Sequence, residues 1–573
     1  MAAYLHDSVL LYLERLIDWD DYFERRKGDA ADLAAERAAL RSLLETAAEI
    51  CAKIEPESRA GWWEAARLEN GEVVHPDHVR HGYEHLREAG LVSVGVREEF
   101  GGFELPTFIA NVLIQMVARA DAALMTVIGL QAGVAEDIQK YASSELAARY
   151  LPRFVSGEVQ GAMDLTEPQA GSDLGAIATR AVEENGRFYL DGQKIFITNG
   201  GAEIHLVLAR EADTFEQSKG TTKGLSLFIC PRTLPDGTKN RVRVERLEHK
   251  LGIHGSPTAV MRFERAEAWR IASKGDGFKA MLDLMNNARL GVAAQGIGIA
   301  EAAVEEAVKY SRERKQFGMP IGDQPLMKNL LSRMIVALEG GRALLYRVCT
   351  LIDHSRALHA TLEKAISASE RAELERAVER NQIQTRLFTP LAKFLATESC
   401  DEITRAAIQV HGGVGFMAES TVGKLHLDGI ITTIYEGTSE IQVSFALKEI
   451  GKGALGIVFE ELRKELGALT QPVLQPFAAR VVVGIERIEQ SAHALLSDFG
   501  YALLSARSVA EMVIAVIVAS ELLRQADRAP ERTELAARWI HIKMLELEAH
   551  ARRVIEGDAG RIERCEKIVR LWA

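Results

Sequence analysis

The run Ile434-Tyr435-Glu436-Gly437-Thr438-Ser439-Glu440-Ile441-Gln442 sets a carboxylate beside a glycine, between a tyrosine and two hydroxyl residues. Gly437 frees the backbone to turn and lets a ligand approach it closely, which would hold Glu436 at a defined point. The same residues also describe a helix N-terminus, with Thr438 or Ser439 as the cap of an amphipathic run. A second segment, Leu165-Thr166-Glu167-Pro168-Gln169-Ala170-Gly171-Ser172-Asp173, surrounds a proline with small and hydroxyl residues. Its backbone N–H groups could meet a ring edge or a phosphate, or it is an ordinary helix-to-strand connection. A third, Lys194-Ile195-Phe196-Ile197-Thr198-Asn199-Gly200-Gly201, reads as a strand ending in a hydroxyl and two glycines. It could set a hydrogen bond and a flat aromatic beside a planar cofactor, or simply run into a turn. Arg312-Glu313-Arg314-Lys315-Gln316-Phe317-Gly318 reads as a charged helix C-terminus closed by glycine. The G-x-G-x-x-G match at residues 451–456 follows a helix, not a strand, and so lacks the context of a dinucleotide fingerprint.

These segments need elements to position them. Residues 5–154 carry apolar side chains three and four apart and read as helical, as in 37–54 and 77–89. Glu98-Glu99-Phe100-Gly101-Gly102 before Pro106 reads as a loop. Near Gly161 the period changes to two. Strands are expected at 176–184, 187–190 and 193–198, with tight turns at Asn185-Gly186 and Asp191-Gly192. Further strands are expected at 204–210, 224–230, 242–247 and 259–263. Long amphipathic runs then cover 278–312, 325–357 and 371–409, and a last helical block follows residue 451. The expected fold is α+β and mostly α. It comprises an N-terminal helical domain (1–160), a middle antiparallel β domain (161–276), a C-terminal helical bundle (277–450) and an additional helical segment (451–573).

Composition narrows the classes of function. At 573 residues the chain exceeds one core, at roughly 150 residues per domain. Its formal net charge of −12 argues against a nucleic-acid or anionic-membrane surface as the main partner. Residues 451–573 carry 17 basic and 17 acidic side chains, leaving no basic face for DNA. The five cysteines are scattered and never form C-x-x-C, which suits a reducing cytoplasm and offers no metal or disulfide framework. Residues 1–16 mix charged with apolar side chains and do not read as a signal peptide. The greasiest run, 512–519, is far short of a membrane span.

Taken together and in order, the segments at 165–173, 194–201 and 434–442 resemble the acyl-CoA dehydrogenase family, over about residues 77–451. The long lead and the final block are similar to its longer bacterial members. The resemblance implies FAD as cofactor. Leu165, Thr166 and Ser172 would line the flavin, with Thr166 at the pyrimidine edge and Ser172 near both the pyrophosphate and the CoA. Thr198 would hydrogen-bond flavin N5, flanked by Ile197. Phe196 stands where the family often has tryptophan, which keeps stacking and loses an indole N–H. Arg314, Gln316 and Phe317 would reach a neighbouring subunit's FAD, and Gln324 its adenosine. Gln409 with Gly412 and Gly413 resembles the family's glycine loop, and Thr438 adds a further FAD contact. A shared FAD site implies a homodimer or homotetramer.

A saturated thioester reacts only when a base takes the α proton, hydrogen bonds hold the enolate oxygen and a flavin accepts the β hydride. The resemblance makes Glu436 that base, with Tyr435 and Gly437 beside the substrate. Burial beside an acyl chain would raise its pKa. Some relatives carry the base just before an arginine equivalent to Arg289; here that position is Ala288, which cannot abstract a proton. Arg289 and Lys448 are left as CoA contacts, with Asn286 in place of a common aspartate. In His426-Leu427-Asp428 an arginine usual before the aspartate is missing, so a changed ion pair is expected there. The implied activity is dehydrogenation of an acyl-CoA to a 2-enoyl-CoA in fatty-acid β-oxidation, with electron-transfer flavoprotein as acceptor. An oxidase on the same scaffold and a DNA-associated flavoprotein are the alternatives; a flavin hydroxylase relative would commonly lack the glutamate. The acyl group stays open between a fatty chain and a polar or ring-bearing one. It is expected beside residues 125–138, where Glu136-Asp137 could signal a polar or ring-bearing acyl group but reads first as a solvent-facing helix turn.

Overall fold

The structure, a computed structural model, describes residues 4–28, 32–364, 367–495, 498–558 and 560–572, apart from the side chains of residues 283 and 284. The chain divides into two compact units. The first holds Met1–Tyr4, Leu43–Ala302 and Gly423–Ile431; the second holds Leu5–Ser42, Ala303–Val422 and Thr432–Ala573.

In the first unit, helices Asp77–Glu88, Thr107–Ala120, Ala122–Tyr141 and Ser144–Val155 precede the sheet. The helical reading of residues 5–154 misses one feature, a hairpin of β1 (Arg67–Glu69) and β2 (Glu72–Val74). Its turn is Asn70-Gly71, at φ +53° and +83°, the left-handed pair that a two-residue hairpin requires. Val73 then packs on Gly201 so closely that a Cβ there would lie 2.6 Å from it.

Seven strands follow: β3 (Gly161–Asp164), β4 (Arg180–Glu184), β5 (Arg187–Thr198), β6 (Ile204–Glu211), β7 (Leu225–Pro231), β8 (Val242–Leu247) and β9 (Thr258–Ile271). Most ladders are antiparallel, while β6 runs parallel to β3 and β4. Because β6 also pairs with β7, the path β6-β4-β5-β9-β7 closes on itself. Strand β6 is buried along its whole length, and its side chains alternate between two cores. Leu206 and Leu208 join Leu151, Phe154 and Ile138 of the helices, while Val207 and Ala209 join Phe228, Met261 and Phe263.

Two strand readings change. Asn185-Gly186 is a left-handed turn, but Asp191-Gly192 is not a turn at all: β5 runs through it. The register against β9 slips there, and Asp191 Oδ1 accepts the N–H of Arg265, itself at φ +55°, at 2.8 Å. Gly192 is needed for close approach, since a Cβ would sit 2.3 Å from Thr179 Oγ1. The strand expected from residue 176 starts at Arg180, because Leu174–Ala176 forms a 3₁₀ turn capped by the Asp173 carboxylate.

The second unit is a helical assembly whose longest members are Pro325–Leu362 and Ala368–His411. Residues 512–519 are all buried in the helix Ala506–Arg528, so an all-round apolar run marks a core helix. Among the described residues no helix is long and apolar enough to cross a membrane. Residues from the N-terminal helix and from beyond residue 451 meet on Pro325–Leu362 through buried and partly buried polar groups. Ser8 Oγ donates to Glu339 at 2.7 Å, Arg532 pairs with the same carboxylate, and Arg347 reaches Glu465 at 2.6 Å and Glu521 at 3.3 Å.

Candidate active site

In the first unit, the loop after β3 is fixed from below by a charge that no solvent reaches. Lys194 on β5 is 0% exposed. Its Nζ donates to the carbonyls of Leu165 (2.9 Å) and Leu208 (2.8 Å) and to Glu167 Oε1 (2.8 Å). The Glu167 carboxylate also accepts the N–H groups of Ala178 (2.7 Å) and Thr179 (3.0 Å). Burial pushes the Glu167 carboxyl up, but Lys194 and these donors outweigh it and hold it below the usual carboxylate range. Burial lowers the Lys194 ammonium despite Glu167. The buried Arg210 then grips the far end of the segment through the carbonyls of Gly175 and Ile177. The outcome is a loop with a rigid floor, leaving Thr166 half-buried and Ser172 exposed.

The end of β5 carries the next candidates. The register against β9 slips again between Lys194 and Ile197, and Phe196 sits in that bulge at φ +58°, 62% exposed. The bulge throws the ring outward while Ile197 returns to the core and Thr198 pairs with Thr258. Asn199, buried and at φ +55°, donates to Gln160 and to the Gly161 carbonyl, tying this end to β3.

In the second unit, Glu436 lies in a turn of two left-handed residues, itself at φ +55° and Gly437 at φ +92°. A glutamate in that conformation is held there by its surroundings. Lys393, 0% exposed on the helix Ala368–His411, donates Nζ to the Gly437 carbonyl at 2.9 Å. Gln442, buried one turn into the helix Ser439–Gly451, donates Nε2 to the carbonyls of both Glu436 and Gly437 at 2.9 Å. Two peptide planes are thereby locked, which fixes the direction in which the Glu436 side chain leaves the backbone. Glu436 and Tyr435 are half-buried. Thr438 occupies the N-cap position without a side-chain capping bond, so capping is not what this run supplies.

Other expected contacts lie on open surface of the same unit. The strands β10 (Lys315–Gln316) and β11 (Met319–Pro320) form a hairpin whose turn is Phe317-Gly318, at φ +54° and +81°. Phe317 is 90% exposed at its tip, beside the exposed Arg314 and Gln316. Gln324 follows at the N-cap position of Pro325–Leu362. Gln409 is exposed in the last turn of its helix, and a Cβ at Gly412 or Gly413 would meet nothing within 4 Å. Lys448 is exposed in the last turn of Ser439–Gly451.

Returning to the first unit, Ala288 packs against the apolar cluster between helices and sheet. Arg289 is buried and donates Nη1 to Asn286 Oδ1 at 2.7 Å, so the asparagine orients it. The ion pair expected to change near Asp428 is formed with Lys424, one helical turn earlier, at 2.6 Å. Asp428 also accepts the N–H of Ile253 at 2.6 Å, and burial raises its carboxyl against the pull of Lys424. Asp137 corrects the reading of a solvent-facing turn: it is 2% exposed on the helix Ala122–Tyr141. Lys194, Glu167, Lys393 and Gln442 are the functional side chains that motif reading did not single out.

Comparison with known proteins bears on this arrangement. Models of the acyl-CoA dehydrogenase N-terminal, middle and C-terminal domains match residues 38–158, 162–266, and 275–370 with 355–451. The 3-methylmercaptopropionyl-CoA dehydrogenase of Ruegeria pomeroyi is 33% identical over 457 residues, covering 76% of this chain and 74% of that protein. An acyl-CoA dehydrogenase of Bacillus subtilis is 34% identical over 358 residues, 62% of this chain and 85% of that one. An acyl-CoA dehydrogenase structure from Bacillus anthracis, complexed with FAD, superposes with a TM-score of 0.76 over 96% of this chain and 93% of that chain. Its identity of 22% speaks for the fold alone.

Proposed function

Because the chain belongs to the acyl-CoA dehydrogenase family, we propose that it converts an acyl-CoA thioester to a 2-enoyl-CoA with Glu436 as the base. Members of this family are FAD-dependent oxidoreductases acting on acyl-CoA. The residues present fit that cofactor. Phe196 offers an exposed aromatic face where β5 bulges, Thr198 a half-buried hydroxyl two residues on, and Gly412-Gly413 a bare backbone that a dinucleotide can approach. Arg314 at the base of the hairpin and Phe317 at its tip suit a pyrophosphate and an adenine. When bound, FAD supplies the acceptor for the β hydride.

The chain's own part is proton transfer and orientation. Glu436 takes the α proton as the β hydride leaves, and the C–H electrons at the α carbon become the new C=C bond. The backbone N–H of Glu436 holds the thioester oxygen, and Tyr435 and Gly437 border the acyl group. Arg289, Lys448 and Ser172 bind the CoA. The observation that carries this reading is the left-handed Glu436-Gly437 turn clamped by Lys393 and Gln442, with alanine at the alternative base position. Electrons pass on to an electron-transfer flavoprotein. The chain works as a homodimer or homotetramer in the cytoplasm, a partner copy covering the exposed Phe317 (90%) and Phe416 (83%). Anaerobic titration of the yellow holoprotein with a panel of acyl-CoAs tests the reading: the true substrate bleaches the flavin, and failure of every thioester overturns it. Peroxide released in air without an added acceptor would replace the dehydrogenase with an oxidase.

A further inference from the structure

The three family domain models end at residue 451, yet the segment beyond them reaches back to the catalytic turn. Arg507, on the helix Ala506–Arg528, spreads its guanidinium over groups from two other helices. Nη1 donates to Glu440 Oε1 at 3.0 Å, Nη2 donates to Glu398 Oε2, and the guanidinium carbon lies 5.1 Å from the centre of the Phe394 ring. Nε reaches Glu511 of its own helix at 3.2 Å. Glu398 in turn accepts the Ser439 hydroxyl at 2.6 Å. Phe394 and Glu398 belong to Ala368–His411, and Ser439 and Glu440 open the helix Ser439–Gly451.

These are the two helices that hold the turn. Lys393, the neighbour of Phe394, grips the Gly437 carbonyl from one; Gln442, two residues after Glu440, grips both carbonyls from the other. Any slip between the helices therefore pulls the two clamps apart and moves Glu436. The Arg507 fork spans that junction, and planar, multidentate pairing is what an arginine can do and a lysine cannot. Without it, Glu398 and Glu440 lose the partner they share across the two helices, while Glu511 keeps His550 Nε2 at 2.7 Å. We propose that Arg507 is a positioning residue for Glu436, through which the C-terminal segment sets the geometry of proton abstraction. This inference rests on the dehydrogenase reading.

The test uses full-length holoprotein with Arg507→Ala and Arg507→Lys. Rapid-mixing measurements of flavin bleaching at saturating acyl-CoA should show the alanine variant slowed about tenfold at unchanged FAD content and acyl-CoA affinity. The lysine variant should recover part of the rate, since a compact ammonium restores the charge but lacks the planar fork that spans the two helices. Hydrogen exchange across residues 434–445 should quicken in Arg507→Ala while the rest of the chain stays protected. Bleaching at the wild-type rate per bound flavin overturns the inference, even if the variant melts earlier or loses FAD. A wild type that no acyl-CoA bleaches overturns the dehydrogenase reading and this inference with it. A wild type that bleaches beside an alanine variant keeping pace overturns this inference alone.

Discussion

Replacing Lys194 with methionine isolates the floor of the loop at Leu165–Ser172. Methionine nearly matches the stem in volume but removes the charge and three donated bonds of 2.8–2.9 Å. Glu167, whose side chain is 3% exposed, then keeps a buried charge with only neutral hydrogen-bond partners and, among the described residues, no cation nearer than Arg210. Removing one member of a buried pair costs about 3–5 kcal/mol, largely through the partner left behind. At roughly 2–4 °C per kcal/mol for a domain of this size, melting should fall by about 10 °C at pH 7. The deficit should depend on pH in a definite direction. With Lys194 present the Glu167 carboxyl is depressed, so its stabilising contribution is complete above its unfolded pKa, about 4.3, and fails only as pH falls through the lower folded value. Without Lys194 burial dominates and the folded pKa is raised, so the variant loses stability as pH climbs through it. The gap between variant and wild type should therefore be widest at pH 7 and shrink toward pH 5. Adding Glu167→Gln should recover part of it. Thermal unfolding followed by released flavin fluorescence measures all of this. A Lys194→Met protein that melts within about 2 °C of wild type at pH 7, or a gap that widens on acidification, would show that Lys194 does not hold the loop through Glu167.

Two other substitutions probe the site more locally. Gly437→Ala forces a side chain to φ +92° and puts its Cβ 2.7 Å from Gln442 Nε2, displacing the clamp. With a left-handed penalty of about 1–2 kcal/mol added to the lost clamp, flavin reduction should slow about a hundredfold at nearly unchanged FAD content; a rate within threefold of wild type counts against the clamp. Phe317→Ala removes a ring that is 90% exposed, so the FAD-free protein should melt as before. FAD should bind at least tenfold more weakly by fluorescence titration, and an unchanged affinity would remove Phe317 from the cofactor site.

What the sequence disclosed, and what it hid, follows from how local each signal is. The change from a period of three and four to a period of two near Gly161 marks the sheet because alternation is a property of neighbouring residues. Asn185-Gly186 announces its turn for the same reason. Asp191-Gly192 carries the same local signal and forms a bulge instead, because Thr179 and Arg265, both distant in sequence, decide which use the glycine serves. Asn70-Gly71 makes a true hairpin, but its strands of three residues each are too short to alternate visibly. The run at Glu436 was legible as a motif, as were the glycines at 412 and 413, whereas the segment read as a helix C-terminus closed by Gly318 leaves its helix at Glu313 and forms a hairpin with Phe317 in its turn. The side chains that hold these pieces were not. Lys194, Lys393, Gln442 and Arg507 look like any surface residue in a charged helix or strand. Their roles come from carbonyls and carboxylates that converge only in three dimensions. Buried lysines of this kind leave no periodic trace, and Phe196 acquires its positive φ from a register slip that no local rule foretells.

Whether Glu436 removes the α proton is decided by Glu436→Gln holoprotein, mixed anaerobically with an acyl-CoA that bleaches the wild type. Glutamine preserves the shape of the side chain and leaves the backbone clamp untouched, while abolishing its basicity. The variant should bind FAD, perturb the flavin spectrum on adding thioester, and reduce about a thousandfold or more slowly, within the range that a positioned general base contributes. Reduction at a rate within tenfold of wild type would contradict the assignment and return the search for the base to another residue.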